Sequence, residues 1–297
     1  MMKPLVVSLL ETGDHGSTLA EQIDGELAQM ELRFFPDGEA YIRIDSPVQS
    51  RNVVVLATLD DPNRRFLPLM FVAETLRDLE AASIGLAAPY LPYMRQDARF
   101  RPGEGLTSHF FARLLSRSFD WLVTVDPHLH RIESLDEIYS IETEVVQAAG
   151  PIAQWIREHV QNPLLIGPDE ESEQWVGAVA AAGNLPKLIL SKSRHGDYDV
   201  QVRGGPAPTW ADQRPVIIDD IISTGRTMLE AVKVLQDYQM KPPICIGIHG
   251  LFVGDAREVI GEAPIDRLVT TNTVDDPSNG IDIFPEFARG VGRMLGR

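Results

Sequence analysis

The sequence predicts a two-domain α/β protein with mainly parallel strands. Two observations carry this. Short β-branched runs alternate with amphipathic segments from end to end, the order that builds parallel sheets covered by helices. A length of 297 residues with 44% hydrophobic and 24% charged side chains suits two soluble globular cores.

In the first half, the runs PLVVSLL, ELRFF, YIRID, NVVVLAT, SIGLAAPY and WLVTVD are the expected strands, and Phe66 to Leu79 and Thr107 to Ser116 show helical apolar spacing. The second half begins near Gln147, where AAGPIAQWIREHV places a proline at the first helical position. Strands are then expected at PLLIGPD, KLILSK, DYDVQVR, PVIID, ICIGIHG and RLVTTN, with helices over Glu173 to Ala182, Thr227 to Tyr238 and Phe284 to Leu295. The expected domains are therefore 1–146 and 147–297, with no Pro- or Ser-rich linker between them.

A formal net charge of −16 argues against a broad nucleic-acid footprint or an anionic-membrane surface. An anionic ligand remains compatible with it, because backbone amides, cationic side chains or metal ions can reverse the field locally. The single cysteine, Cys245, rules out an intrachain disulfide and fits a reducing cytoplasmic compartment; its apolar neighbours suggest a buried structural thiol. No apolar run reaches the roughly 18 residues that span a bilayer.

Ligands of α/β sheets gather at the carboxyl ends of strands. At one such end, VIIDDIISTGRTM places Asp219 and Asp220 beside Ser223, Thr224, Gly225, Arg226 and Thr227. A phosphate there meets hydroxyls, loop amides and the positive end of a following helix. The carboxylates repel a phosphate, so they face something else, either vicinal sugar hydroxyls or a metal ion. The Gly-Lys-Ser/Thr of a Walker A loop is absent. A plain helix cap with solvated acids is the alternative.

Other polar clusters follow apolar runs. Asp37, Gly38 and Glu39 in FFPDGEAYIRI read alone as a turn. Arg95, Gln96 and Asp97 in PYLPYMRQDARF read alone as a solvated loop. His128 and His130, spaced i and i+2 in TVDPHLHRIES, would point the same way on a strand and suggest a metal site, but further ligands at metal spacing are missing. Lys192 and Arg194 in LILSKSRHGDYDV read singly as surface charges.

Taken together and in order, these stretches resemble the ribose-phosphate pyrophosphokinases, the PRPP synthetases, within the type I phosphoribosyltransferase-like fold. The resemblance implies two tandem phosphoribosyltransferase-like domains and Mg2+-dependent transfer of the diphosphoryl group of ATP to the C1 hydroxyl of ribose 5-phosphate, giving PRPP and AMP for nucleotide biosynthesis. It implies that Asp219 and Asp220 hold the ribose hydroxyls and that Ser223 to Thr227 grip the 5-phosphate. Phe35, Asp37, Gly38, Glu39, Arg95, Gln96 and Asp97 are implied to bind ATP, with Phe35 stacked on adenine. Lys192, Arg194 and His128 are implied to be catalytic, and His128 and Asp169 to lie near the metal, Mg2+ with Mn2+ as an alternative. The implied partners are ATP, ribose 5-phosphate and further copies of the chain, a homodimer or larger assembly up to a hexamer. The DGE loop of the family reaches ATP across a subunit interface.

Three departures from the family pattern stand out. PDEES places Glu170 and Glu171 where small residues are usual, Arg226 stands in place of a glycine, and SPVQSRN lacks the Ser-x-Arg pattern linked to phosphate and ADP regulation. The last implies altered or absent allostery. A phosphoribosyltransferase that consumes PRPP, or a non-catalytic synthetase-like regulator, are the competing functions.

Overall fold

A computed structural model describes residues 2–10, 14–192, 198–200 and 210–296. The chain divides into two compact units, Met1–Val146 together with Phe284–Arg297, and Gln147–Ile283.

In unit 1 the elements run β1 (Leu5–Ser8), α1 (His15–Gln22), β2 (Glu26–Leu27), β3 (Met30–Phe34), β4 (Ala40–Ile44), β5 (Asn52–Leu56), α2 (Pro62–Asp78), β6 (Ser83–Ala88), α3 (Thr107–Ser118), β7 (Trp121–Val125) and β8 (Glu142–Val146). Six of these strands form a sheet in the order β2-β1-β5-β6-β7-β8, parallel at every pairing. Val53, Val54 and Val55 of β5 are fully buried, as expected of a strand covered on both faces. β3 and β4 form a separate antiparallel hairpin.

Unit 2 continues with α4 (Ala149–His159), β9 (Pro163–Gly167), α5 (Glu173–Gly183), β10 (Lys187–Lys192), β11 (Tyr198–Val200), β12 (Arg214–Ile222), α6 (Arg226–Asp237), β13 (Ile244–Gly250), α7 (Ala256–Glu262), β14 (Arg267–Thr271) and β15 (Asn279–Ile281). Its sheet order is β11-β10-β9-β12-β13-β14-β15, parallel except for the edge strand β11. A core of Ile166, Leu190, Ile217, Met228, Ala231, Val232 and Leu235 packs α6 onto this sheet. Cys245 is buried on β13, and burial pushes its thiol up to about 12, the inert state of a structural cysteine.

The last helix, α8 (Phe284–Met294), departs from the expected 147–297 domain, because it packs with unit 1. Its buried face of Phe284, Phe287, Ala288, Gly290 and Val291 meets α1, β7 and β8. His15 of α1 stacks on the Phe284 ring at 4.4 Å, and Arg293 pairs with Glu144 of β8. Among the described residues no helix is long and apolar enough to cross a membrane.

Candidate active site

In unit 2 the chain passes from β9 outward to β10, and β12 then lies on the opposite side of β9. That reversal is a topological switch point, where open α/β sheets form their ligand crevice. The loops leaving β9 and β12 are the two that carry Asp169 and Ser223 to Gly225. Sheet order thus brings the predicted Pro-Asp and phosphate loops side by side.

β12 runs further than its apolar residues predicted. Asp219 and Asp220 lie within the strand rather than just beyond it, since pairing with β13 persists through Asp219↔Gly247, Ile221↔His249 and Ile222↔Gly250. Backbone pairing depends on the neighbouring strand and tolerates the acids. Asp220 is only 4% exposed and Asp219 is half-buried. One Asp219 carboxylate oxygen accepts from the Asp220 amide at 3.1 Å, and one Asp220 oxygen accepts from the Ile221 amide at 2.8 Å. Each carboxylate accepts from the amide of the residue that follows it.

The loop that follows is short because α6 starts at Arg226, one residue earlier than predicted. Gly225 is the capping residue, with φ +73°, and a Cβ there would come within 2.6 Å of Ile260. Arg226 has ordinary helical backbone, so the positive-φ position is occupied by glycine and the arginine causes no strain. Its side chain is exposed. No hydrogen bond among the described residues engages the hydroxyls of Ser223, Thr224 or Thr227, and no side chain caps the helix. Those hydroxyls lie beside the N-terminus of a 12-residue helix, whose dipole favours an anion there.

Asp169 is held in a tight turn. Its Oδ1 accepts from the Ser172 amide at 3.0 Å, while the Ser172 hydroxyl donates to the Asp169 carbonyl at 2.6 Å. Ser172 is buried, and Glu170 and Glu171 are exposed. The departure PDEES therefore puts a serine inside the turn and two carboxylates on the surface. Sequence reasoning missed the role of Ser172, whose signal was a hydroxyl three residues after an aspartate.

In unit 1 the DGE residues form the tip of the β3–β4 hairpin. The Phe35 amide donates to the Glu39 carbonyl, the Gly38 amide to the Phe35 carbonyl, both at 2.8 Å, and the Asp37 carboxylate accepts from the Glu39 amide at 3.2 Å. Gly38 has φ +92°. Phe35 is 40% exposed. The Arg33 guanidinium lies 4.7 Å from its ring and 4.2 Å from that of Tyr41, a cation–π support that sequence reading overlooked.

Arg95 is exposed, and the Gln96 carbonyl accepts from the buried Ser108 hydroxyl at 3.0 Å. Asp97 accepts from the Arg131 amide at 3.0 Å and from the Arg131 guanidinium at 2.9 Å. Burial alone would raise the Asp97 carboxyl, but the Arg131 amide and guanidinium outweigh it and hold the group below its ordinary value. His128 and His130 fall in an irregular segment after β7, not on a strand, so the common orientation expected of i and i+2 strand residues does not apply. Among the described residues no group of three His, Cys, Asp or Glu has the spacing of a metal site.

Lys192 is the last residue of β10, and Arg194 lies outside the described residues.

Comparison with known proteins agrees with this fold. Residues 5–118 match the family model for the N-terminal domain of ribose phosphate pyrophosphokinase, and residues 134–283 match that for the phosphoribosyl transferase domain. The ribose-phosphate pyrophosphokinase of Sulfurisphaera tokodaii is 29% identical, over 97% of this chain and 100% of that protein. The Saccharolobus solfataricus ribose-phosphate pyrophosphokinase is 31% identical, over 91% of this chain and 93% of that one. The crystal structure of phosphoribosylpyrophosphate synthetase from Mycobacterium smegmatis shares the fold, with a TM-score of 0.84, 22% identity and 99% of both chains covered. With its 31% identical relative aligned over nine-tenths of both chains, this protein belongs to the ribose-phosphate pyrophosphokinase family.

Proposed function

We propose that the protein transfers the diphosphoryl group of ATP to the C1 hydroxyl of ribose 5-phosphate, releasing AMP and forming PRPP. The observation that carries this reading is the β12–α6 junction, where oriented carboxylates sit immediately before hydroxyls and amides at a helix N-terminus. A sugar phosphate matches both chemistries at once, its hydroxyls at Asp219 and Asp220 and its 5-phosphate at Ser223 to Thr227.

The C1 oxygen attacks the β-phosphorus, the bond from that phosphorus to the AMP oxygen breaks, and the hydroxyl proton is lost. Catalysis of such transfers is chiefly positioning and charge stabilisation. Phe35, Asp37, Gly38, Glu39, Arg95 and Gln96 bind the nucleotide. Asp97, tied to Arg131, positions the neighbouring segment. Lys192 and Arg194 supply positive charge to the transferring group.

Magnesium keeps several waters and needs only one or two protein ligands beside substrate phosphates. A single carboxylate such as Asp169, on the loop after β9, fits that demand. Resemblance to the family assigns His128 and Asp169 each to the ion, which would supply neutralising charge to the phosphate oxygens.

The chain takes up ATP and ribose 5-phosphate and acts as a homo-oligomer in the cytoplasm. The test is AMP release in a mixture of protein, Mg2+, ATP and ribose 5-phosphate. Release that requires the sugar phosphate supports the reading. No release with any nucleotide donor sinks it, and consumption of PRPP with a free base would favour a phosphoribosyltransferase instead.

A further inference from the structure

The carbonyls of the phosphate loop point at a neighbouring segment of unit 2. The Leu251 and Phe252 amides donate to the Ile222 carbonyl at 2.9 and 3.1 Å, and the Val253 amide donates to the Ser223 carbonyl at 2.9 Å. In a trans peptide the C=O and N–H directions are opposite. With the 222 and 223 carbonyls turned toward 251–253, the Ser223 and Thr224 amides are turned the other way. Segment 251–253 therefore sets the direction in which two loop donors face.

That segment is itself held in an unusual conformation. Phe252 has φ +43°, a region that a bulky side chain rarely adopts. Its ring folds over Gly250, where a Cβ would come within 2.6 Å of it. On the ring lies the Arg257 guanidinium, at 4.2 Å. Arg257 pairs with Oδ2 of Asp276, whose side chain is 9% exposed. The other oxygen, Oδ1, accepts from the Ser278 amide at 2.8 Å, and the Asp276 amide donates to Asn279 at 3.0 Å. The Asn279 side-chain amide then donates to the Thr271 and Val274 carbonyls, at 2.8 and 3.1 Å. A continuous brace runs from the β14–β15 turn to the back of the loop.

We infer that Arg257 is a positioning residue for the ribose 5-phosphate loop, clamping Phe252 against Asp276 so that the Ser223 and Thr224 amides face the phosphate. The inference rests on the reading of Ser223 to Thr227 as the sugar-phosphate loop. A planar guanidinium suits this position because it stacks on a ring and pairs with a carboxylate at the same time, which an ammonium does not.

Calorimetric titration of the full chain with ribose 5-phosphate, together with steady-state kinetics in each substrate, tests this. Arg257→Met is expected to weaken ribose 5-phosphate binding and raise its KM by about 10-fold, while KM for ATP and kcat stay within about 2-fold. Asp276→Asn removes the ion pair but keeps the acceptor for Ser278 and is expected to do the same. The double variant should be no worse than either single one, and Arg257→Lys should not restore affinity. Unchanged sugar-phosphate affinity in both single variants overturns the proposal alone. So does an equal loss for both substrates, which marks a general structural defect. An unaltered protein that binds no ribose 5-phosphate overturns the reading of the loop as well.

Discussion

Arg131 grips both carboxylate oxygens of Asp97, its amide donating to one at 3.0 Å and its guanidinium to the other at 2.9 Å. The contact ties the segment after β6 to the segment after β7, and these carry Arg95 and Gln96 on one side and His128 on the other. The Asp97 side chain is 3% exposed, so asparagine there keeps one oxygen acceptor but gives up the charge and leaves one of the two Arg131 donors facing an NH2 group. Asp97→Asn is expected to lower unfolding free energy by about 1.5–3 kcal/mol at pH 7, measured by urea denaturation. Because the folded carboxyl titrates below its ordinary value of 3.8, its contribution is fully present above that pH and is lost as pH falls through the depressed value. The two proteins should converge in stability under acid, and a constant difference at every pH would contradict the assignment.

Gly225 combines a left-handed φ with a close approach to Ile260. Gly225→Ala is expected to cost about 1–2 kcal/mol from backbone conformation alone, with steric displacement of α7 in addition. Thermal unfolding should report the loss, and KM for ribose 5-phosphate should rise more than KM for ATP. Wild-type stability would show that the loop is more permissive than this backbone implies.

Arg226 replaces a residue that is glycine in the family pattern, yet it occupies helical backbone at the start of α6. Arg226→Gly is therefore expected to destabilise by about 0.5–1 kcal/mol, the cost of glycine in a helix, rather than relieve strain. Equilibrium denaturation gives the sign. A stabilised variant would mean that the arginine is strained.

Asp219→Asn and Asp220→Asn test whether the carboxylates meet the sugar. Losing a hydrogen bond to a charged group costs about 1.5–3 kcal/mol, so KM for ribose 5-phosphate should rise by about 10- to 100-fold. With a deoxy analogue lacking the contacted hydroxyl, the same substitution should cost little, since the partner is already absent. An undiminished penalty would place these acids elsewhere, on a metal or on the fold alone.

Much of this was legible in the sequence. The alternation of strands and helices gave the α/β class, and the apposition of acids and hydroxyls at Asp219 to Thr227 marked the candidate site. The extension of β12 through Ile222 was hidden, because ladder pairing is set by a neighbour nearly thirty residues away in sequence. The return of α8 to unit 1 was hidden for a related reason: amphipathicity says that a helix will pack, not against what. Arg131 and Arg257 act through contacts with specific partners, and nothing in their local spacing distinguishes them from surface charges, while Ser172 left only the weak signal of a hydroxyl three residues after an aspartate. Lys192 and Arg194 were singled out by sequence order; the first ends β10 and the second lies outside the described residues.

The most direct test of the central claim is phosphorus NMR of the reaction of ATP with ribose 5-phosphate in the presence of Mg2+. The account predicts that AMP and a sugar carrying a new diphosphoryl group at C1 accumulate in equal amounts, and that neither forms when ribose 5-phosphate is withheld. ADP with a singly phosphorylated C1, or AMP release independent of the sugar phosphate, would contradict it.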